Sequence, residues 1–178
     1  MTGPQRPDLT ALLPTLTGTW LLDPSATTVE LHTKAMWGMA KVKGSFTAIE
    51  GTGTVGPDGS VTGTLVLDAA SVDTKQAKRD KHLRSKDFFD VEHYPTFTYS
   101  ATAARAGSDG SVTISGTFTV LGQTHPLPVH GVVTTAGADA VTVTAEADLD
   151  RSQWGMGWAK MGAGLKNHLV VVATFTRS

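Results

Sequence analysis

Apolar and polar residues alternate with a period of two along most of the chain. Val29, Leu31 and Thr33 alternate with Glu30 and His32, and Val61, Leu65 and Leu67 alternate with Thr62, Thr64 and Val66, with Gly63 at one inner position. Val112, Ile114, Gly116, Phe118 and Val120 are offset by Thr113, Ser115, Thr117 and Thr119, and Val141, Val143, Ala145, Ala147 and Leu149 repeat the pattern. Successive side chains of a strand point to opposite faces, so the pattern predicts antiparallel strands buried on one side. Pro57-Asp58-Gly59, Ser108-Asp109-Gly110 and Gly137-Ala138-Asp139 supply the backbone angles that hairpins need. Eight strands follow, at residues 18–34, 40–51, 61–70, 95–105, 111–121, 125–136, 140–151 and 166–177. Eight antiparallel strands close most economically into a barrel, which leaves no open edge.

Two stretches interrupt the period. Residues 74–90 carry a helical pattern, with the helix expected at about 74–86. Asp73 with Gln76 three positions on resembles a capping box, and Asp80 four positions before Arg84 is a supportive helical pair. The segment ends in Phe88 and Phe89, two rings that require burial. Residues 151–164 set Trp154, Met156, Trp158 and Met161 among Gly155, Gly157, Gly162 and Gly164, which reads as a mobile aromatic loop at a barrel mouth. Residues 1–16, with three prolines, read as a loose lead-in, one that could lie across the barrel, to a single domain over 17–178.

Composition supports the strands. Thr, Gly and Val supply over a third of the 178 residues, and β-branched Thr and Val fit a pleated surface. The net charge of -1 gives no bulk attraction to nucleic acid. The absence of Cys removes disulfides, thiolate zinc sites, iron–sulfur clusters and cysteine catalysis. No window approaches the ~20 apolar residues of a membrane-spanning helix. The longest apolar run near the start is Ala11 to Leu13, too short for a secretory signal, so the expected location is the cytoplasm.

Several segments together resemble the YceI-like family. They are Trp20-Leu21-Leu22-Asp23 followed by Ser25, Lys41-Val42-Lys43-Gly44-Ser45-Phe46, Ala70-Ser71-Val72-Asp73-Thr74, the run from Arg79 to Asp90, Tyr94-Pro95-Thr96-Phe97-Thr98-Tyr99, and Gly116 to Thr124. The likeness extends from about Gly18 to Arg177. It implies an all-β, extended eight-stranded antiparallel barrel of lipocalin-like shape, whose cavity holds a polyisoprenoid, an isoprenoid quinone or another long-chain amphiphile. Many members carry an export signal and a His in the loop where this chain has Ala35 followed by Met36 and Trp37, so a differently lined mouth is expected.

On this reading the ligand contacts are Leu31, Met36, Trp37, Phe46, Leu65, Phe88, Phe89, Phe97, Tyr99, Ile114, Phe118, Val143, Trp154, Met156, Trp158 and Leu169. Gly63, Gly116, Ala145, Ala147 and Ala173 at inner positions are expected to leave room. Six of the fifteen basic residues fall within residues 75–86. Such a run is ordinarily a solvated helix face, while Arg79, Arg84 and His82 also suit a diphosphate or quinone head group, and Arg79, Asp80 and His82 equally suit holding the helix to the barrel, through Asp80 capping or pairing. The six histidines lack metal-ligand spacing, and no nucleophile elbow or phosphate loop occurs, so neither a metal nor a cofactor is expected. Asp148, Asp150 and Arg151 read as a structural pairing at a strand end. The partner is then a polyprenyl lipid or quinone, with no nucleic acid and no membrane span, and a homodimer is compatible with it. The alternative is a cofactor-free cyclase or isomerase on the same scaffold, using Tyr99, Trp154 and His82 by positioning a hydrophobic substrate.

Overall fold

A computed structural model describes residues 5–178, apart from the side chains of Thr135 and Met161. The first four residues of the lead-in and the Met161 side chain therefore lie outside the described residues. The described residues form ten strands: β1 Gly18–Leu22, β2 Thr28–Ala35, β3 Ala40–Val55, β4 Val61–Asp73, β5 Thr96–Ala106, β6 Ser111–Val120, β7 Gln123–Pro126, β8 Val129–Ala136, β9 Ala140–Asp150 and β10 Lys166–Arg177. All pairings are antiparallel, and β10 pairs with both β9 and β2. The sheet thus closes through β2, β3, β4, β5, β6, β8, β9 and β10, an eight-stranded barrel.

The two extra strands arise where expected strands are broken. The strand expected at 18–34 is interrupted at Pro24, which has no N–H for the ladder. Asp23 turns the chain there by accepting the Ser25 N–H at 3.0 Å, and a short 3-10 turn spans Pro24–Ala26. β1 and β2 both run beside β10 and β3. The strand expected at 125–136 is likewise interrupted between β7 and β8, at Leu127 and Pro128, and both pieces pair with β6.

One end of the barrel is closed. The turns after β3, β5 and β8 gather there, with Gly59 and Gly110 at φ 83° and 81°, in the left-handed region that glycine tolerates. Helix α1 (Leu9–Leu12) follows its N-cap Asp8, whose carboxylate accepts the Thr10 and Ala11 N–H groups, and a 3-10 turn spans Leu13–Leu16. Leu9 and Leu16 are buried, and the Trp20 indole N–H donates to the Leu16 carbonyl at 2.8 Å. The end of the lead-in is therefore a plug with its own core contacts.

The opposite end carries the β2–β3 hairpin tip, the segment after β4 and the loop between β9 and β10. Helix α2 (Ala77–Arg84) starts three residues later than expected. The expected capping box is not formed, because the Asp73 carboxylate is taken by the Lys75 N–H and ammonium, each at 2.9 Å. Asp80 reaches back from the helix instead and accepts both the N–H and the hydroxyl of Thr74. The expected Asp80–Arg84 pair is absent as well, since Arg84 donates to the Ala70 and Val72 carbonyls of β4 at 2.8 and 3.0 Å. Those bonds fasten the helix to the barrel wall. Phe88 and Phe89, just beyond it, are buried in the core. Phe89 joins Phe46, Phe97, Phe118 and Trp154 in a chain of tilted and edge-to-face rings, with centroids 5.0 to 6.1 Å apart. Burial of each such ring contributes about 2–3 kcal/mol before its ordering cost.

Candidate ligand cavity

Inward-facing residues leave two adjoining spaces along the barrel axis. The inner chamber, of about 290 Å³, lies beneath the plug and includes Leu65, Tyr99, Ile114 and Val143 in its wall. The outer chamber, of about 800 Å³, opens at the other end and is walled by Leu31, Met36, Phe46, Phe88, Phe89, Phe97, Phe118, Met156, Trp158 and Leu169. Leu169 borders both.

The plug residues Leu9, Leu13 and Leu16 also line the inner chamber, a contribution that the proline-rich sequence of the lead-in did not signal. The helical spacing of Leu9, Leu12, Leu13 and Leu16 was the available clue.

Three expected contacts stand elsewhere. Trp154 is 1% exposed and packs behind the wall, with its N–H donated to the Phe118 carbonyl at 2.9 Å. Trp37 is 77% exposed at the hairpin tip. Arg84 spends its guanidinium on β4 and does not line the cavity.

Glycine does less to open the barrel than expected. A Cβ on Gly116 would sit 2.7 Å from the Tyr99 hydroxyl and 2.8 Å from Cζ, so its missing side chain seats the Tyr99 ring and leaves no void. A Cβ on Gly63 would come within 2.6 Å of the Thr52 carbonyl, so this glycine permits close strand approach. Ala145, Ala147 and Ala173 do border the inner chamber. The Tyr99 hydroxyl donates to the Leu127 carbonyl at 2.9 Å, and burial pushes its pKa up to about 12. A phenol held this way stays neutral and is an anchored part of the wall.

Polar groups collect at the open end. Arg79 lines the outer chamber and donates to the Thr74 hydroxyl and carbonyl at 2.7 and 2.8 Å. The His82 ring bonds Asp87 at 2.8 Å and meets Trp158 and Phe88 edge-on at 4.6 and 5.1 Å. Arg151 is the functional candidate that sequence reasoning missed. It borders the outer chamber yet is only 6% exposed. Its guanidinium donates to the carbonyls of Gly164, Met156 and Ala163 and lies 5.2 Å from the Phe88 ring centroid.

The cluster expected around Arg151 is dispersed. Asp150 accepts from Ser152 and Asp148 from His168, and Arg151 forms no ion pair among the described residues. Burial holds the Arg151 pKa below its ordinary value. The loop at 151–164 is therefore built on a buried cation and a buried indole, not on glycine alone.

Tyr99, Trp154 and His82, the residues a cyclase would combine, do not converge: one faces the inner chamber, one is sealed behind the wall and one stands at the mouth. Among the described residues no helix is long and apolar enough to cross a membrane.

The barrel has solved counterparts. BcnA of Burkholderia cenocepacia superposes with a TM-score of 0.74 at 18% identity, over 86% of this chain and 98% of that one. A polyisoprenoid-binding domain from Saccharophagus degradans gives 0.71 at 16% identity, over 89% and 98%. At these identities the likeness concerns the fold. A UPF0312 protein of Vibrio cholerae is 33% identical over 104 residues, so the match spans 57% of this chain and about half (55%) of that protein. The YceI-like domain matches residues 20–175, nearly the whole barrel and the loops that form its mouth. With closed topology, cavity and sequence in agreement, the chain belongs to the YceI-like family.

Proposed function

We propose that the protein binds a long-chain isoprenoid lipid, such as a polyprenyl chain or an isoprenoid quinone, with its tail in the barrel and its head group at the open end. The carrying observation is the gradient along the axis: an almost wholly hydrocarbon inner chamber closed by the plug, and an outer chamber whose rim holds Arg79, His82 and Arg151. Both volumes suit small-molecule sites, which span roughly 300–1,000 Å³. Each methylene removed from water contributes about 0.8 kcal/mol, offset by the cost of ordering a flexible chain. Arg79, whose Nε and Nη2 bond Thr74, keeps Nη1 as a donor for an oxygen-bearing head, while Arg151, its nitrogens held by loop carbonyls, contributes positive charge at that end. The Saccharophagus domain of similar fold, described as polyisoprenoid-binding, supports this class of ligand.

Native mass spectrometry of protein purified without detergent tests the reading. An excess mass that organic solvent removes, and that added prenyl lipid restores, is the expected result. Protein of bare mass that takes up neither a prenyl alcohol nor a quinone would overturn it.

A further inference from the structure

Among the described residues the large apolar side chains that remain exposed include Met36, Trp37 and Met39, at 53%, 77% and 77%, and all three sit on one hairpin tip between β2 and β3. The tip is shaped to present them: Met36 and Trp37 hold φ of 51° and 56°, a left-handed conformation that non-glycine residues rarely adopt, followed by Gly38 at 90°. Gly162 of the facing loop props the Trp37 ring, since a Cβ there would lie 2.6 Å from Cδ2. The indole is thus fixed at the rim of the cavity with most of its surface in solvent.

Cations surround this tip. Lys34, Lys78, Lys81 and Lys160 line the mouth, Lys41 lies on the hairpin, and none of the five forms an ion pair among the described residues. Of the carboxylates in the same segments, Asp73 pairs with Lys75, Asp87 and Asp90 bond His82 and His93, and Asp80 and Asp150 accept from Thr74 and Ser152 and keep their charge. Glu92 forms no ion pair among the described residues, so the basic residues still outnumber the acidic ones at this end. Acidic turn residues Asp58, Asp109 and Asp139 lie at the other end of the barrel. The net charge of -1 therefore conceals a polarity along the axis.

We propose that the mouth docks on an anionic lipid bilayer, with Trp37 and Met39 entering the headgroup boundary and the lysine rim meeting the phosphates. Tryptophan favours that boundary, and lysines bury their stems while keeping the ammonium among headgroups. A second protein copy is a poorer occupant, because three side chains on a tip offer a few hundred Å² where a stable interface takes about 800 Å² from each partner. Docking in this pose sets the outer chamber against the bilayer, so that an apolar tail enters without crossing water. That last consequence rests on the lipid-binding reading; the docking does not.

Vesicle co-sedimentation tests it, using phosphatidylcholine alone and phosphatidylcholine with a quarter of phosphatidylglycerol. The intact protein is expected to bind the anionic vesicles at least tenfold more tightly, with a blue shift of tryptophan emission. The Trp37→Ser/Met39→Ser variant should lose at least tenfold in that binding while keeping the thermal transition and any ligand mass of the parent. Lys41→Glu/Lys160→Glu should lose a similar factor, and high salt should abolish the preference. Equal binding by the parent and Trp37→Ser/Met39→Ser, no preference for phosphatidylglycerol, or a dimer in gel filtration that this variant dissociates would each overturn the proposal. Vesicle binding by protein that takes up no prenyl lipid would leave the docking standing and remove the ligand assignment.

Discussion

The Arg177 guanidinium lies 4.4 Å above the ring of Trp20 and donates to the carbonyls of Thr15, Thr17 and Ala138. One side chain near the end of the last strand therefore ties down the plug, the first strand and the turn before β9. A cation over an indole contributes roughly 0.5–2 kcal/mol, and each hydrogen bond from a charged donor about 1.5 kcal/mol or more when partly shielded. Arg177→Leu should lower stability by about 2–3 kcal/mol in urea denaturation. Hydrogen exchange should show the largest loss of protection at Leu9 to Leu16. A loss spread evenly over the barrel would contradict this role.

Tyr99 couples stability to alkaline pH. An unfolded tyrosine titrates near about 10, and burial raises the folded value to about 12. A raised pKa means that the folded state favours the neutral phenol, so its contribution is complete below pH 10 and is lost as pH climbs through 12. Allowing for its partial exposure, the loss is about 1 kcal/mol. Tyr99→Phe should be less stable at neutral pH by about 1 kcal/mol, through loss of the bond to Leu127, and should show a shallower decline above pH 10. Parallel pH profiles for the two proteins would refute the assignment.

Arg151 should behave as the keystone of the loop at the mouth. Arg151→Lys puts one ammonium nitrogen where three separate guanidinium nitrogens each meet a carbonyl, and Arg151→Met leaves all three carbonyls without a donor. The expected costs are about 2 and about 3 kcal/mol respectively, from carbonyls stripped of partners in a shielded site. Trp154 fluorescence, read in a background with Trp20, Trp37 and Trp158 replaced by Phe, should become accessible to a soluble quencher in both variants. Wild-type stability in Arg151→Met would show that the loop is held by other contacts.

The inner chamber can be filled without touching the rim. Ala147→Phe or Ala173→Leu adds bulk on its wall and should cost about 1–3 kcal/mol from overpacking if the side chain is forced in, less if the void accepts it. On the proposed function, either variant should shift bound prenyl chains to shorter lengths in native mass spectra, with little change in head-group preference. An unchanged length distribution would place the tail outside this chamber.

The sequence by itself determined the barrel. Alternation is a property of one strand and its two faces, so Val141 to Leu149 or Val112 to Val120 could be assigned from neighbours alone, and the eight positions of the closed sheet follow. It also located the helix, though its start depended on Asp80 choosing Thr74 and Asp73 choosing Lys75, a competition among nearby acceptors that spacing does not resolve. Tertiary structure decided the rest of the site. Whether Trp37 faced the cavity or the solvent was set by the hairpin's left-handed turn and by Gly162, some 125 positions away. Gly116 became a seat and not a void because Tyr99 on the next strand fills it, and Arg151 became a buried anchor because three carbonyls from its own loop converge on it. Each of these outcomes depends on distant groups competing for one volume or one hydrogen bond, and only the closed barrel brings those groups together.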